Sequence, residues 1–406
     1  MFAPTGWPQE HLADPYPVYR RYREQDSVQR GEGGTWYVFG YDEAYEVLTS
    51  PAFGRGPGGP VSDRSPALRR LVQNWLVFMD PPRHTELRDL LQATFSPKVV
   101  RALRPCVTAI AAELLAPLQE KPLIDLVRDF AAPFPLLVIS ELLGVPSERR
   151  DWFRERAVWL QGASTSRAGR TGRTGADLAE RAARELAAYF SEQARLRARA
   201  PREDLLSLLV AAARKGTALS EDEIVGTCVH LLTAGHETTT HLLTKGTLAL
   251  LRRPGVLRRL RSDPALLPTA VEELVRFDSP VQMVSRWARQ DQLLGGKRIR
   301  AGEKVVPVLG AANRDPARFP APDLLRLDRP PARHTGFGLG IHYCLGASLA
   351  RAEAEIGLAA LFAAFPGMTL PSEPPVFDDD LIFHGPTRFP LVTTISHPTT
   401  KERPYA

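Results

Sequence analysis

Apolar residues recur at helical spacing along most of this chain, while strand-like pieces are few and short. An amphipathic run entered through prolines covers 14–26. Trp36 to Phe39, closed by Gly40-Tyr41-Asp42, predicts a strand and turn ahead of a helical stretch at 43–49. Helical patterns follow over 84–95, 98–120, 140–161 and 177–199. The longest runs over 220–252, where Ser220 with Glu223 fits a capping box and Pro254 stands just past the end. At ~1.5 Å per residue it spans roughly 45–50 Å, enough to cross a whole domain. A helix over 264–277 precedes strand-like pieces between 281 and 310, an irregular Pro/Arg-rich stretch at 313–336, a Gly-rich loop and a last helix at 345–364. Residues 54–60 (GRGPGGP) and 162–176 (GASTSRAGRTGRTGA) predict loops. With no internal repeat and no linker, the pattern is mainly α with a minor β region.

Composition narrows the classes. Of 406 residues, 44% are apolar, ample for a large core, and the 24% that are charged are interspersed as in an ordinary globule. The net charge of +6 is a mild excess, and no Lys/Arg block interleaved with aromatics points to nucleic acid. Pairs such as Arg252-Arg253 and Arg258-Arg259 read as solvated helix faces. Cys106, Cys228 and Cys344 are far apart and lack CxxC spacing, which argues against a disulfide framework or structural zinc and for a reducing compartment. No signal peptide and no run of ~18 apolar residues is visible, so a cytoplasmic protein without a membrane anchor is expected.

The most specific stretch is Phe337-Gly338-Leu339-Gly340-Ile341-His342-Tyr343-Cys344-Leu345-Gly346. It resembles the haem-binding loop of the cytochrome P450 superfamily, F-x-x-G-x-[HR]-x-C-x-G, at every fixed position. Ala347, Ala350, Arg351 and Glu353 are also usual there. Alone, a cysteine in a Gly-rich turn reads as buried and inert; ten residues in pattern set that reading aside. The resemblance makes Cys344 the thiolate ligand of haem iron, a ligand that pushes electron density towards O–O cleavage. Its place just before a helix aims free N–H groups and the positive dipole end at the sulfur. Gly338, Gly340 and Gly346 are expected to let the backbone wrap close to sulfur and porphyrin, and Phe337 to cover the sulfur on its outer side.

Inside the long helix, Ala234-Gly235-His236-Glu237-Thr238-Thr239 resembles the family's oxygen-activation motif, [AG]-G-x-[DE]-T-[TS]. Reduction of O2 needs protons delivered into a dry pocket. Thr238 is placed to hydrogen-bond dioxygen or an adjacent water, and Glu237 to relay protons. Gly235 is expected to allow close approach to the haem and, with Thr238, to distort the helix ladder. His230 lies one turn before Ala234, facing either the substrate cavity or the core. His236 and His241 read as structural or exposed.

In this family the haem propionates are met by cations at positions matched here by His84, Arg88, Arg286 and His342, with His334 a further candidate. The resemblance also makes Glu273 and Arg276 a buried pair joined by an arginine of the irregular stretch; Arg314, Arg318 and Arg333 all lie in or near it. The implied fold is a single triangular domain over 1–406, matched from 14 to 395, with 1–13 and 396–406 as terminal extensions. The implied reaction is monooxygenation of a small-molecule substrate with haem b, O2 and electrons from NAD(P)H through a reductase and a separate ferredoxin. Arg83, Lys98, Arg101 and Arg104 are candidate docking cations, and a monomer is expected. Segments 54–75 and 162–176 would roof the pocket; Trp75, Phe78, His230, Met283 and Val284 are candidate lining residues. A peroxide-driven enzyme would not need Glu237 and Thr238, and a non-catalytic haem sensor or carrier would not need to keep them.

Overall fold

The computed structural model describes residues 1–56, 65–161, 168–214 and 219–393. Its centre is the helix Glu221–Leu251, whose N-terminus is closed as predicted: Ser220 Oγ accepts from Glu223 N–H at 3.2 Å, and the Glu223 carboxylate accepts from Ser220 N–H at 2.8 Å. Residues 239–250 of this helix are all buried. Around it pack Pro66–Gln73, Pro133–Leu143, Ala168–Arg199, Leu267–Phe277 and Ala347–Ala364. The approach is closest at Gly226, where a Cβ would lie 2.5 Å from Asn74 Cβ.

A five-stranded sheet flanks the helices in the order Val28–Arg30, Trp36–Val38, Lys304–Pro307, Arg286–Ala288, Phe53–Gly54. Trp36–Val38 runs parallel to Lys304–Pro307, and the other neighbours are antiparallel. Register sets Gly54 opposite Trp287 and Arg286 opposite Val305, so chain segments over 200 residues apart in sequence meet at one sheet edge.

Several sequence expectations are corrected. The stretch at 140–161 is two helices, Pro133–Leu143 and Arg150–Gln161, because Gly144 turns left-handed (φ 71°) and Val145 N–H bonds Ser140 O at 2.9 Å. Within 54–75, Pro66–Gln73 is a helix with Leu68, Leu71 and Val72 buried; residues 57–64 lie outside the described residues. The helix expected at 177–199 starts at Ala168, inside the stretch read as a loop, and 162–167 are not described. Leu205–Arg214 is a helix that the pattern did not single out. The N-terminal residues are no loose extension: Phe2 is 1% exposed and packs edge-on against Tyr37 at 4.7 Å and Phe39 at 5.2 Å. Residues 396–406 lie outside the described residues. Among the described residues, no helix is long and apolar enough to cross a membrane.

The irregular stretch is held by a buried carboxylate. Glu273 pairs with Arg276 through two bonds of 2.7 Å, and both side chains are buried. The third member is Arg329, whose Nε lies 3.0 Å from each Glu273 oxygen. It is none of the three arginines left open by sequence. Arg314 instead binds Phe277 O at 2.6 and 2.8 Å, Arg318 lies over the Tyr41 ring, and the Arg333 carbonyl accepts from Tyr41 Oη. Spacing could not choose among them because the stretch has no periodicity to carry a register. Removing one partner of such a network leaves a buried charge, so Arg329→Leu should cost about 3–5 kcal/mol. Urea unfolding of the variant checks this; a loss below about 1 kcal/mol would show that the bridge behaves as an exposed pair.

Candidate active site

The loop at 337–346 is closed by its own backbone. Cys344 N–H donates to Phe337 O at 2.8 Å, Gly338 N–H to Thr335 O at 2.8 Å, and Tyr343 N–H to Gly340 O at 3.0 Å. Gly338 and Gly340 both take φ of 68°. The need for glycine at 340 differs from the expected approach to sulfur: a Cβ there would lie 2.5 Å from Leu48 O. At Gly346 a Cβ would meet no protein atom within 4 Å, so the protein's own packing does not demand glycine there.

Outside the loop, Arg351 sits 4.5 Å from the Phe337 ring centroid, bonds Tyr343 Oη at 3.1 Å and pairs with Glu272. His334 joins Glu272 at 3.2 Å, so this histidine lies in the outer strap and not with the propionate candidates. Burial works against ionising Glu272, but His334 and Arg351 together outweigh it and bring its carboxyl down to about 2. Burial likewise pushes the Cys344 thiol up, while the Gly346 N–H that donates to it and the guanidiniums of Arg88 and Arg351 act the other way.

On the inner side, the helix Arg83–Gln92 supplies His84 and Arg88, the sheet supplies Arg286, and the loop supplies His342. The His84 and His342 rings stand 4.2 Å apart, and Arg88 donates to Tyr343 O at 2.7 Å. Sequence reasoning missed a further member. Arg55, in a segment read as an irregular loop, is buried, and its N–H donates to both Asp80 oxygens at 3.1 Å. The one available signal was an arginine between two glycines, Gly54-Arg55-Gly56. Burial and the neighbouring guanidiniums depress both imidazoles, and burial brings Arg286 down to about 10. Asp80 is the carboxylate that acts against these shifts at His84, Arg55 and Arg286.

These residues fit a haem. Both ring nitrogens of buried His84 lack a hydrogen-bond partner, and three guanidiniums converge where the described residues offer little negative charge. A group with two carboxylates answers Arg88 and Arg286 and leaves Arg55 over. Among the described residues, no cluster of three His, Cys, Asp or Glu side chains could hold a metal ion, so an iron at Cys344 needs a macrocycle for its remaining ligands.

The central helix turns one face to this site. Ala234 is exposed in mid-helix although residues 239–250 beyond it are buried, so it borders an internal space. Gly235, about 100° further round, faces Ile139, with a notional Cβ at 3.4 Å; it does not open towards the haem side. The helix runs unbroken even though Thr238 Oγ1 donates to Ala234 O at 3.0 Å, a back-bond that can bend a helix. Glu237 lies 3.6 Å from His241 Nε2, and His236 and His241 are both buried. His230 stacks on Trp75 (5.1 Å, 14°), which stacks on Phe78 (6.1 Å, 11°), so three expected pocket residues form one row. Met283, by contrast, is 2% exposed and packs in the core, and Val284 packs beside Leu309 and Leu339. Of the docking cations, Arg83 is committed to Glu223 and Glu86, and Arg104 to Glu355; Lys98 and Arg101 remain exposed.

A family model described as Cytochrome P450 matches residues 166–389. The polyketide biosynthesis cytochrome P450 PksS of Bacillus subtilis is 36% identical over 389 residues, covering 92% of this chain and 93% of the relative. The cytochrome P450 monooxygenase PikC of Streptomyces venezuelae is 38% identical, covering 90% and 87%. The crystal structure of P450BioI in complex with an acyl carrier protein ligated to hexadec-9Z-enoic acid superposes with a TM-score of 0.88 at 34% identity, over 95% of this chain and 99% of that one.

The depressed Glu272 carboxyl has a stability signature. Its folded value (about 2) is below the ordinary 4.5, so its contribution is present above about pH 4.5 and is lost as pH falls towards 2. Acid titration of Glu272→Gln beside the parent should show a stability gap at pH 7 that closes across that window. A gap unchanged down to pH 2 would sink the assignment of the strap.

Proposed function

The chain belongs to the cytochrome P450 family, and we propose that Cys344 ligates the iron of a haem b held between its loop and the helix Glu221–Leu251. The protein is a monooxygenase. The observation that carries the site assignment is the convergence of Arg88, Arg286, His84 and His342 beside a buried cysteine, with little carboxylate to balance them. When bound, the haem supplies O2 activation with two electrons and two protons, giving an oxidised substrate and water.

This chain's residues supply the surroundings. Arg88 and Arg286 would neutralise the propionates, and His84 and His342 would donate N–H bonds to them. The Gly346 N–H holds negative charge on Cys344 Sγ, while the Phe337 ring under Arg351 keeps water from that side. Thr238, its own proton directed at Ala234 O, presents lone pairs and so accepts a hydrogen bond from a water in the pocket. Glu237, in reach of His241, passes protons from the helix flank to that water. Trp75, Phe78 and His230 form an aromatic wall for substrate.

The electron donor is a separate ferredoxin fed by an NAD(P)H-dependent reductase, received on the face carrying Lys98 and Arg101. That face belongs to the helix Pro97–Leu115, which packs on Ala347–Ala364, the helix that follows Cys344. The protein works as one cytoplasmic domain and a monomer, on a small intermediate of secondary metabolism, a reading supported by the relative PksS, which is named for polyketide biosynthesis.

Cys344→Ser should remove the red-shifted absorption of the reduced carbon-monoxide adduct; its retention in purified holoprotein would overturn the ligand assignment. Thr238→Ala should keep NAD(P)H consumption but lower product formed per NAD(P)H about tenfold, and Glu237→Gln should slow turnover by roughly 10²-fold. Lys98→Glu with Arg101→Glu should slow reduction by ferredoxin and flatten its salt dependence, measured by stopped flow; unchanged rates would remove this face from the docking site.

A further inference from the structure

We propose that Arg55 anchors an anion subsite in the substrate pocket, and that the substrate carries a carboxylate that pairs with this guanidinium. The inference deepens the monooxygenase reading and rests on it.

The chain around Arg55 is locked. A Cβ at Gly54 would lie 2.5 Å from Arg289 Nε and 2.9 Å from Asp80 Oδ2. At Gly56 (φ 79°) it would lie 2.5 Å from Trp287 Cδ2. The Arg55 N–H is held by both Asp80 oxygens. These contacts fix the backbone against the sheet edge and leave the side chain to turn inward, where it is 9% exposed. Its partners do not match that burial. Nε has no hydrogen-bond partner, and among the described residues its one side-chain bond is a long one, 3.4 Å to Ser285 O.

Charge counting then points to a ligand. Asp80 is already paired with Arg289 at 2.9 Å besides holding the Arg55 backbone. Two haem propionates answer Arg88 and Arg286, which leaves one buried guanidinium in excess. A buried cation is stable only when paired and hydrogen-bonded, and a planar guanidinium matches a carboxylate through two parallel bonds. Arg55 also acts on His230, whose ring burial and this guanidinium bring down to about 4. That imidazole is therefore neutral near pH 7 and can donate one N–H to the same anion. Behind it the Trp75 and Phe78 rings offer an apolar wall. An organic acid with an apolar body, alkanoic or arylalkanoic, satisfies both surfaces.

The test uses ferric holoenzyme titrated with ω-(imidazol-1-yl)alkanoic acids of increasing chain length and with their methyl esters. The imidazole anchors every probe to the iron and gives a spectral shift, so binding does not depend on guessing the substrate. At the length that reaches Arg55 the acid should bind roughly 10- to 100-fold more tightly than its ester, the worth of one charge-assisted pair. Arg55→Gln should abolish that preference while ester affinity stays within about twofold, and Arg55→Lys should restore part of it. Acids and esters of equal affinity at every length in the parent enzyme would overturn the proposal without any variant. So would a preference that survives Arg55→Gln, or an Arg55→Gln protein that keeps the preference but loses haem faster to apomyoglobin, since the arginine would then serve the propionates. A parent protein whose reduced carbon-monoxide adduct lacks the red-shifted absorption would sink the haem-thiolate reading itself; a normal adduct and a normal imidazole shift with no acid preference sink only the subsite.

Discussion

Everything functional in this molecule depends on where one buried carboxylate pulls the chain. Glu273 receives Arg276 from its own helix, and Arg329 and the Arg326 N–H from the irregular stretch. A stretch without repeating backbone bonds has no register of its own. It is placed because an uncompensated carboxylate in the core is far costlier than the order needed to satisfy it. Asn313, near the start of that stretch, accepts from Thr335 N–H and Oγ1 at the entry to the cysteine loop. Adjacent Glu272 reaches the other way, to Arg351 and His334 beneath the loop. Two neighbouring carboxylates on one helix thus fix the loop from both sides.

On the inner side the balance reverses. Cations gather there and carboxylates are scarce, so burial shifts each group towards its neutral form, and neighbouring cations add to the shift at Arg55, His84 and His342. Such an arrangement is unfavourable as protein alone and favourable around an anionic group. The cluster is therefore a statement about a ligand, made in the electrostatics of the residues that await it.

The central helix separates neighbouring tasks by rotation. Ala234 borders the internal space, Gly235 packs on Ile139, and Glu237 leans to His241 one turn on. Back-bonding by Thr238 uses the hydroxyl proton inside the helix, so the oxygen keeps lone pairs with which to accept. The helix needs no break to do this, contrary to what its composition suggested.

The mainly helical architecture, the capped central helix, the loop that carries Cys344 and the identity of most charged groups around it were legible along the chain. These are local: periodicity, capping and ten consecutive residues in pattern are written within short stretches of chain. The tertiary structure alone decided which arginine completes the Glu273 network, that His334 faces the outer strap and Met283 the core, and that Arg55 belongs to the site. Those choices turn on where non-periodic segments are carried by distant partners, Gly54 against Trp287 and Arg329 against Glu273. Spacing along a chain encodes a neighbour only when a helix or strand repeats; elsewhere the register is set by burial and charge across the fold.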